Sequence, residues 1–274
     1  MEAATSKPQF IGERIDVEAG SFDAGLMERG EPGVPRSFRW RHQRFGVVRI
    51  TDRRRQLGED RGDRYVRRHV YDVETSDGLR MTLHFERNPS DRSRRKAWWL
   101  YTLTLPEPVI VTQRVALRRW TYADRDAFLR MVQDPQVMAH VHDFEPMSDR
   151  QAREALDATI RRYEIGYGDW AVMEPQHGDI LGEAGLTPLP DATEITWMFF
   201  GQHWGKGYAR EVASAVQRYA FETLHLARIV ARVRAENDRS AKVAEAIGMR
   251  LARRFKDDRG EEMLEYACAR PAAG

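Results

Sequence analysis

The segment Gln202-His203-Trp204-Gly205-Lys206-Gly207-Tyr208-Ala209 constrains this chain of 274 residues more than any other. It follows an apolar, β-branched run that ends near Phe200. It precedes a stretch in which Val212, Ala215, Val216, Tyr219, Ala220 and Thr223 recur at helical spacing. The chain must therefore pass from strand to helix within a few residues. Two glycines at that junction let the backbone turn sharply and approach a ligand closely. The first N–H groups of the helix then point outward without partners. Together with the positive end of the helix dipole they form an anion site suited to a pyrophosphate, and Lys206 adds a mobile positive charge beside it. A glycine-rich turn that binds nothing fits the same pattern.

The chain is punctuated most sharply at Leu105-Pro106-Glu107-Pro108, where alternate prolines favour an extended connector and disfavour helix on either side. A loose N-terminal arm is expected over residues 1–35, a small basic β domain over 36–105, a proline-rich linker at 106–108 and an α/β domain over 109–274. Charge supports the division. Residues 36–96 carry 18 Lys and Arg against 9 Asp and Glu, and residues 109–274 carry 23 against 25.

Within the front part, Leu79, Met81, Leu83 and Phe85 alternate with polar residues, the period of a half-buried strand. Ser76-Asp77-Gly78 is a turn signal, and Val70 to Thr75 supplies the partner strand of a hairpin. Ser37 to Ile50 and Trp98 to Leu105 suggest further strands, giving a sheet or barrel of four or five. The back part alternates. Strands are expected at Val111 to Arg118, Asp169 to Glu174, Ile180 to Leu186, Thr193 to Phe200 and Ala227 to Val233, with a final hairpin turning at Asp257 to Gly260. Helices are expected at Ala123 to Gln133 behind Thr121, at Ser148 to Arg162, after the glycine loop, and at Arg239 to Ile247 up to Gly248.

The spacing of Gln202, Gly205 and Gly207 resembles the acetyl-CoA pyrophosphate loop of the GNAT acetyltransferase superfamily, and Trp204 to Ala209 resembles its RimJ/RimL-type branch. Arg114 to Arg118 with Ala123 to Ala127, Ile180 to Leu186, and Asn237 to Ser240 through Met249 resemble further segments of that branch, in the same order. The resemblance covers about residues 109–269. It implies an α/β domain with a central mixed, splayed sheet, preceded here by the small all-β basic domain. It also implies a pantetheine arm lying between two parting strands, against backbone of the strand Glu194 to Phe200, Met198 and Phe199 included. Gln202, His203, Trp204, Gly205, Lys206, Gly207, Tyr208 and Ala209 would hold the pyrophosphate, and Asn237 and Ser240 the arm.

The resemblance further implies an acetyl-CoA-dependent N-acetyltransferase without a metal. Its acceptor would be a primary amine on a protein N-terminus, a polyamine or a small molecule, attacking the thioester directly. An ammonium cannot attack until a base takes its proton. Glu194, at the start of the strand that runs into the loop, matches the family's glutamate there, with Glu183 on the neighbouring strand in reserve and water as the third alternative. Many superfamily members place a tyrosine in the late helix to protonate the leaving thiolate. Ala244 stands at that position here, and Ser240 is the stand-in.

The front part resembles an uncharacterised small basic β domain through Phe38-Arg39-Trp40-Arg41 and Trp98-Trp99-Leu100-Tyr101. Its runs Arg53-Arg54-Arg55 and Arg94-Arg95-Lys96, interleaved with Trp40, Tyr65, Tyr71 and Trp98, suit either nucleic acid or a solvated surface around an aromatic core. A nucleic-acid- or ribosome-binding protein with a catalytically silent acetyl-CoA-sensing domain is therefore the alternative function. His140 and His142 could share one side of a strand, but no third metal ligand stands at a recognisable spacing, and the single cysteine, Cys268, allows no disulfide within the chain. No hydrolase elbow, zinc-protease motif or Walker loop is present. Without a secretory signal or a run of roughly 20 apolar residues, a cytoplasmic location with no membrane contact is expected.

Overall fold

Alternation in the front part produces antiparallel strands closed by tight turns. The computed structural model describes residues 7–18, 20–22, 32–60, 63–86, 98–139, 145–175 and 178–271. The chain divides into two units, Met1–Glu107 and Pro108–Gly274. The front unit contains β1 (Gln9–Arg14), β2 (Asp16–Val17), β3 (Ser37–Trp40), β4 (Gln43–Asp60), β5 (Asp63–Thr75), β6 (Arg80–Glu86) and β7 (Trp98–Thr104). They form one antiparallel sheet in the order β1-β7-β6-β5-β4-β3-β2. Between β5 and β6, Thr75 Oγ1 donates to Asp77 Oδ1 at 2.5 Å, and the Leu79 N–H donates to Thr75 Oγ1 at 3.2 Å, fixing the hairpin register.

One expectation for this unit is corrected, and one pair of alternatives is decided. The arm expected over residues 1–35 contributes β1 and β2. β1 pairs along β7, and Ile15, Val17 and Val34 are buried, so apolar burial and a sheet edge in need of partners hold these described residues in place. Of the two readings offered for the aromatic rings, burial supports the aromatic core: Trp40, Tyr71 and Trp98 are buried and have no face open to a base. Of the basic runs, Arg54 pairs with Asp52 and with Asp72 of the neighbouring strand. Arg94, Arg95 and Lys96 lie outside the described residues, as does the side chain of Tyr65.

The back unit begins with β8 (Ile110–Val111) and β9 (Ala116–Arg119). A single strand was expected there, but Thr112 Oγ1 donates to the Val115 carbonyl and accepts from the Val115 N–H, which turns the chain between the two halves. Then come α1 (Arg125–Val132), α2 (Pro135–Met138), α3 (Asp149–Arg162), β10 (Asp169–Met173), β11 (Ile180–Pro188) and β12 (Thr193–Phe199). They are followed by α4 (Tyr208–Glu222), β13 (Arg228–Arg234), α5 (Asp238–Ala246), β14 (Arg250–Lys256) and β15 (Glu262–Ala269). Ser148 caps α3 through Gln151, and a buried bidentate pair between Arg118 and Asp124 ties β9 to the approach of α1.

The sheet of this unit runs β14-β15-β13-β12-β11-β10-β9-β8. All of its pairs are antiparallel except β12 with β13, which are parallel and register only at Thr193↔Ile229 and Glu194↔Val230. Beyond those two positions the strands part. This is the splayed mixed sheet that the resemblance implied. One face packs on α4 through Leu186, Ile195, Val212 and Val216, and the other on α1 and α3 through Trp120, Phe128 and Leu156. Among the described residues no helix is long and apolar enough to cross a membrane.

Candidate active site

Two hollows open where β12 and β13 part. The larger, about 550 Å³, is lined by β12, the glycine loop, the start of α4 and the start of α5. The smaller, about 340 Å³, is lined by β10 to β13 and by the hairpin of β14 and β15. Trp197, Met198, Asn237 and Ser240 line both, so the two hollows share a wall.

The glycine loop ends the larger hollow. Gly205 and Gly207 have φ of 73° and 80°, a left-handed backbone that any side chain would strain. Gly207 is the N-cap residue of α4 and supplies no capping side chain, and the first helical bond runs from the Glu211 N–H to the Gly207 carbonyl. The N–H groups of Tyr208, Ala209 and Arg210 thus have no acceptor within the helix. Arg210, Arg239 and Lys242 add positive charge around the hollow. Uncapped donors, left-handed glycines and three cations fit a pyrophosphate.

Neighbours hold the loop rigid. Trp204 Nε1 donates to the Phe199 carbonyl at 2.8 Å, and the Arg239 guanidinium lies 5.1 Å from the Trp204 ring. Arg114 Nη1 donates to the Lys206 carbonyl at 2.9 Å, Arg114 Nε pairs with Glu211 Oε2 at 2.6 Å, and its guanidinium lies over the Tyr208 ring. Burial pushes the Glu211 carboxyl up, but hydrogen bonds from Thr112 and Arg114 outweigh it and hold the group below its ordinary range. Burial and the nearby Lys206 charge hold His203 below its usual value, favouring a neutral ring.

Of the residues expected to contact acetyl-CoA, Met198, Phe199, His203, Trp204, Gly205, Gly207, Tyr208, Ala209, Asn237 and Ser240 line the larger hollow. Gln202 and Lys206 do not. Gln202 is exposed with its amide against His203, and Lys206 is exposed with its carbonyl held by Arg114. Asn237 is the N-cap residue of α5 and accepts from the Ser240 N–H at 3.1 Å, so capping and lining coincide. Ala244, where many relatives of the fold carry a tyrosine, is fully buried in the core, and Met249 packs beside it.

Sequence reasoning passed over Val137, Trp197, Arg210, Arg239, Lys242 and Val243. Arg239 and Lys242 stand three residues apart on α5, a spacing that puts both charges on one face and was readable. Arg114, which holds the Lys206 carbonyl, carries no sequence signal for that role.

In the smaller hollow, Glu194, Thr196 and Met198 of β12 lie on one face with Glu183 of β11, which stands opposite Met198 in register. Asp169 of β10 accepts from Thr196 Oγ1 at 2.8 Å and from Arg162 Nη1 at 2.6 Å. Glu183 Oε2 is buried without a hydrogen-bond partner. Arg232 and Arg234 of β13 and Asp257 line the far side. Among the described residues no group of His, Cys, Asp and Glu could hold a metal ion; His140 and His142 lie outside them.

A family model for the acetyltransferase (GNAT) domain matches residues 114–250. A second, described as a domain of unknown function (DUF6504), matches residues 4–104. The chain is 34% identical over 156 residues to an uncharacterized protein, YkkB, of Bacillus subtilis, a match that spans 54% of this chain and 88% of that one. It is 43% identical over 149 residues to an uncharacterized N-acetyltransferase, YnaD, of the same organism, spanning 54% and 85%. A crystal structure of an acetyltransferase from Agrobacterium tumefaciens superposes with a TM-score of 0.54 at 28% identity, covering 60% of this chain and 96% of that one. The glycine loop, the splayed sheet and these matches lead to one conclusion: the chain belongs to the GNAT acetyltransferase family.

Proposed function

We propose that acetyl-CoA occupies the larger hollow and that a primary amine enters the smaller one and attacks the thioester directly across the shared wall. The observation that carries this reading is that wall: Trp197, Met198, Asn237 and Ser240 border both hollows. The larger hollow presents anion-binding groups and the smaller one carboxylates, as an anionic donor and a cationic acceptor require. On this reading the N–H groups of Tyr208, Ala209 and Arg210 hold the pyrophosphate. The β12 backbone beyond Glu194, unpaired by β13, faces the pantetheine amides. Ser240 hydrogen-bonds or protonates the departing thiolate, and a carboxylate of the smaller hollow takes the proton of the ammonium. The loop Trp204 to Ala209 supports placement in the RimJ/RimL-type branch, whose acceptors are protein N-termini, polyamines and small amines.

The test is release of the CoA thiol by the full chain with a panel of such amines. At least one peptide or small primary amine is expected to release it stoichiometrically with formation of the acetylated amine. Acetyl-CoA binding with no turnover on any of them would leave the fold as a sensor and remove the reading.

A further inference from the structure

The smaller hollow contains four carboxylates, and three of them are engaged. Asp169 is held by Thr196 and Arg162. Asp257 Oδ1 accepts the backbone N–H groups of Arg259 and Glu261, both at 2.9 Å, and so caps the β14–β15 turn. Glu194 has interactions of its own and lies where β12 still pairs with β13, at the closed end of the splay. It stands four positions from Met198, about 13 Å along a strand rising ~3.3 Å per residue.

Glu183 differs on each count. It stands directly opposite Met198, a member of the shared wall, and opposite Ala171 on the other side. Residues opposite each other in an antiparallel pair lie about 5 Å apart on the same face. Its Oε2 is buried and unpartnered, and it lines the hollow that the acceptor must enter. A buried carboxylate oxygen without a donor is costly unless something arrives to pair with it.

We infer that Glu183, rather than Glu194, is the base that takes the proton from the acceptor amine. The inference rests on the reading of the two hollows given above. In the step, the Glu183 carboxylate accepts one proton from R–NH₃⁺. The freed nitrogen pair forms the C–N bond to the acetyl carbon, and the C–S bond breaks with its pair going to sulfur. The second proton that nitrogen loses on becoming an amide goes to that thiolate, and Glu183 later returns its own proton to solvent.

The surroundings set the pH range. Burial, followed by the Asp169 charge, pushes the Glu183 carboxyl up to about 8. The Trp120 indole N–H beside it, although short of full hydrogen-bond geometry, opposes this, followed by the Arg162 charge. Tyr163, whose hydroxyl donates to the Asp169 carbonyl, stays neutral because burial raises its pKa. Glu194 faces the hollow from β12 and Arg232 and Arg234 from β13. A group raised in this way is mostly protonated at pH 7 and becomes a base as pH rises through about 8. The rate with a primary amine should climb across that range.

The experiment compares full-chain wild type, Glu183→Gln, Glu183→Asp and Glu194→Gln from pH 6.5 to 9. Glu183→Gln should lower kcat by about a hundredfold at pH 9 with acetyl-CoA affinity unchanged by calorimetry, and should lose the rising limb. Glu183→Asp should keep that limb at a lower plateau, and Glu194→Gln, whatever its effect on acceptor binding, should keep the limb as well. Carboxyl ¹³C resonances of glutamate-labelled protein give a readout that does not depend on turnover. One should titrate near pH 8 in wild type and be missing from Glu183→Gln. Wild-type kcat in Glu183→Gln, or no glutamate titrating in that range, overturns the proposal. If no amine is acetylated by wild type, the two-hollow reading fails, and the resonance still decides whether Glu183 is a raised, accessible base.

Discussion

Gly207→Glu is expected to weaken acetyl-CoA binding by at least a hundredfold while leaving the back unit folded. Two effects combine. A side chain at φ 80° strains the backbone by roughly 1–2 kcal/mol, and a carboxylate at the N-terminus of α4 occupies the positive end of the dipole that the pyrophosphate would use. A hundredfold loss corresponds to about 2.7 kcal/mol, within reach of one displaced set of charge-assisted hydrogen bonds. Space is not the cause, since a Cβ at 207 would meet only Arg114 Nη2 at 3.5 Å, an ordinary contact. Gly207→Ala isolates the strain and should cost about tenfold or less. Calorimetric titration with acetyl-CoA measures both. Unchanged affinity in Gly207→Glu would falsify the placement of the pyrophosphate on this loop.

The second large effect is on stability. A Cβ at residue 182 would lie 2.2 Å from the Met198 carbonyl oxygen and 2.8 Å from the Phe199 Cα. Both are backbone atoms of β12, which cannot swing aside as a flexible side chain would. Gly182 pairs with Phe199, so Gly182→Ala must push β12 away from β11 beside the wall that the two hollows share. Overpacking of this kind costs about 3 kcal/mol, or about 6–12 °C in the melting temperature of a unit this size. A scan of the full chain should show the transition that acetyl-CoA shifts upward moving down by that amount, with the front-unit transition unmoved. An unchanged melting temperature would mean that the β11–β12 register is looser than these distances allow.

Much of the back unit was legible because its signals are local. Ser148 with Gln151 announces α3, Gly205 and Gly207 announce the turn into α4, and the alternation around Ile195, Trp197 and Phe199 announces β12. The failures have physical causes. β1 forms because β7 offers an edge, and the sequence near Gln9 does not carry that long-range pairing. The break between β8 and β9 is made by the Thr112 hydroxyl, without the glycine or proline that usually marks a turn. The basic run at Arg53 to Arg55 is on the surface as read, but its charges hide that it lies within β4, an 18-residue strand.

The site divides the same way. The loop that closes the larger hollow is one continuous segment and could be read. The smaller hollow is assembled from β10, β11, β12, β13 and the β14–β15 hairpin, so no single window contains it. Glu183 and Glu194 looked interchangeable in sequence. Register separates them, because antiparallel pairing puts Glu183, not Glu194, opposite Met198.

Direct transfer across a shared wall is tested most closely by initial velocities measured while acetyl-CoA is varied at several fixed concentrations of a working amine. Both substrates must be bound together if the amine attacks the thioester itself, so double-reciprocal lines are expected to intersect. The protein's one thiol is a poor carrier for an alternative route: Cys268 is half-buried, and burial raises its pKa, which keeps it protonated. Parallel lines, together with acetyl label retained on the chain after acetyl-CoA alone, would contradict the account.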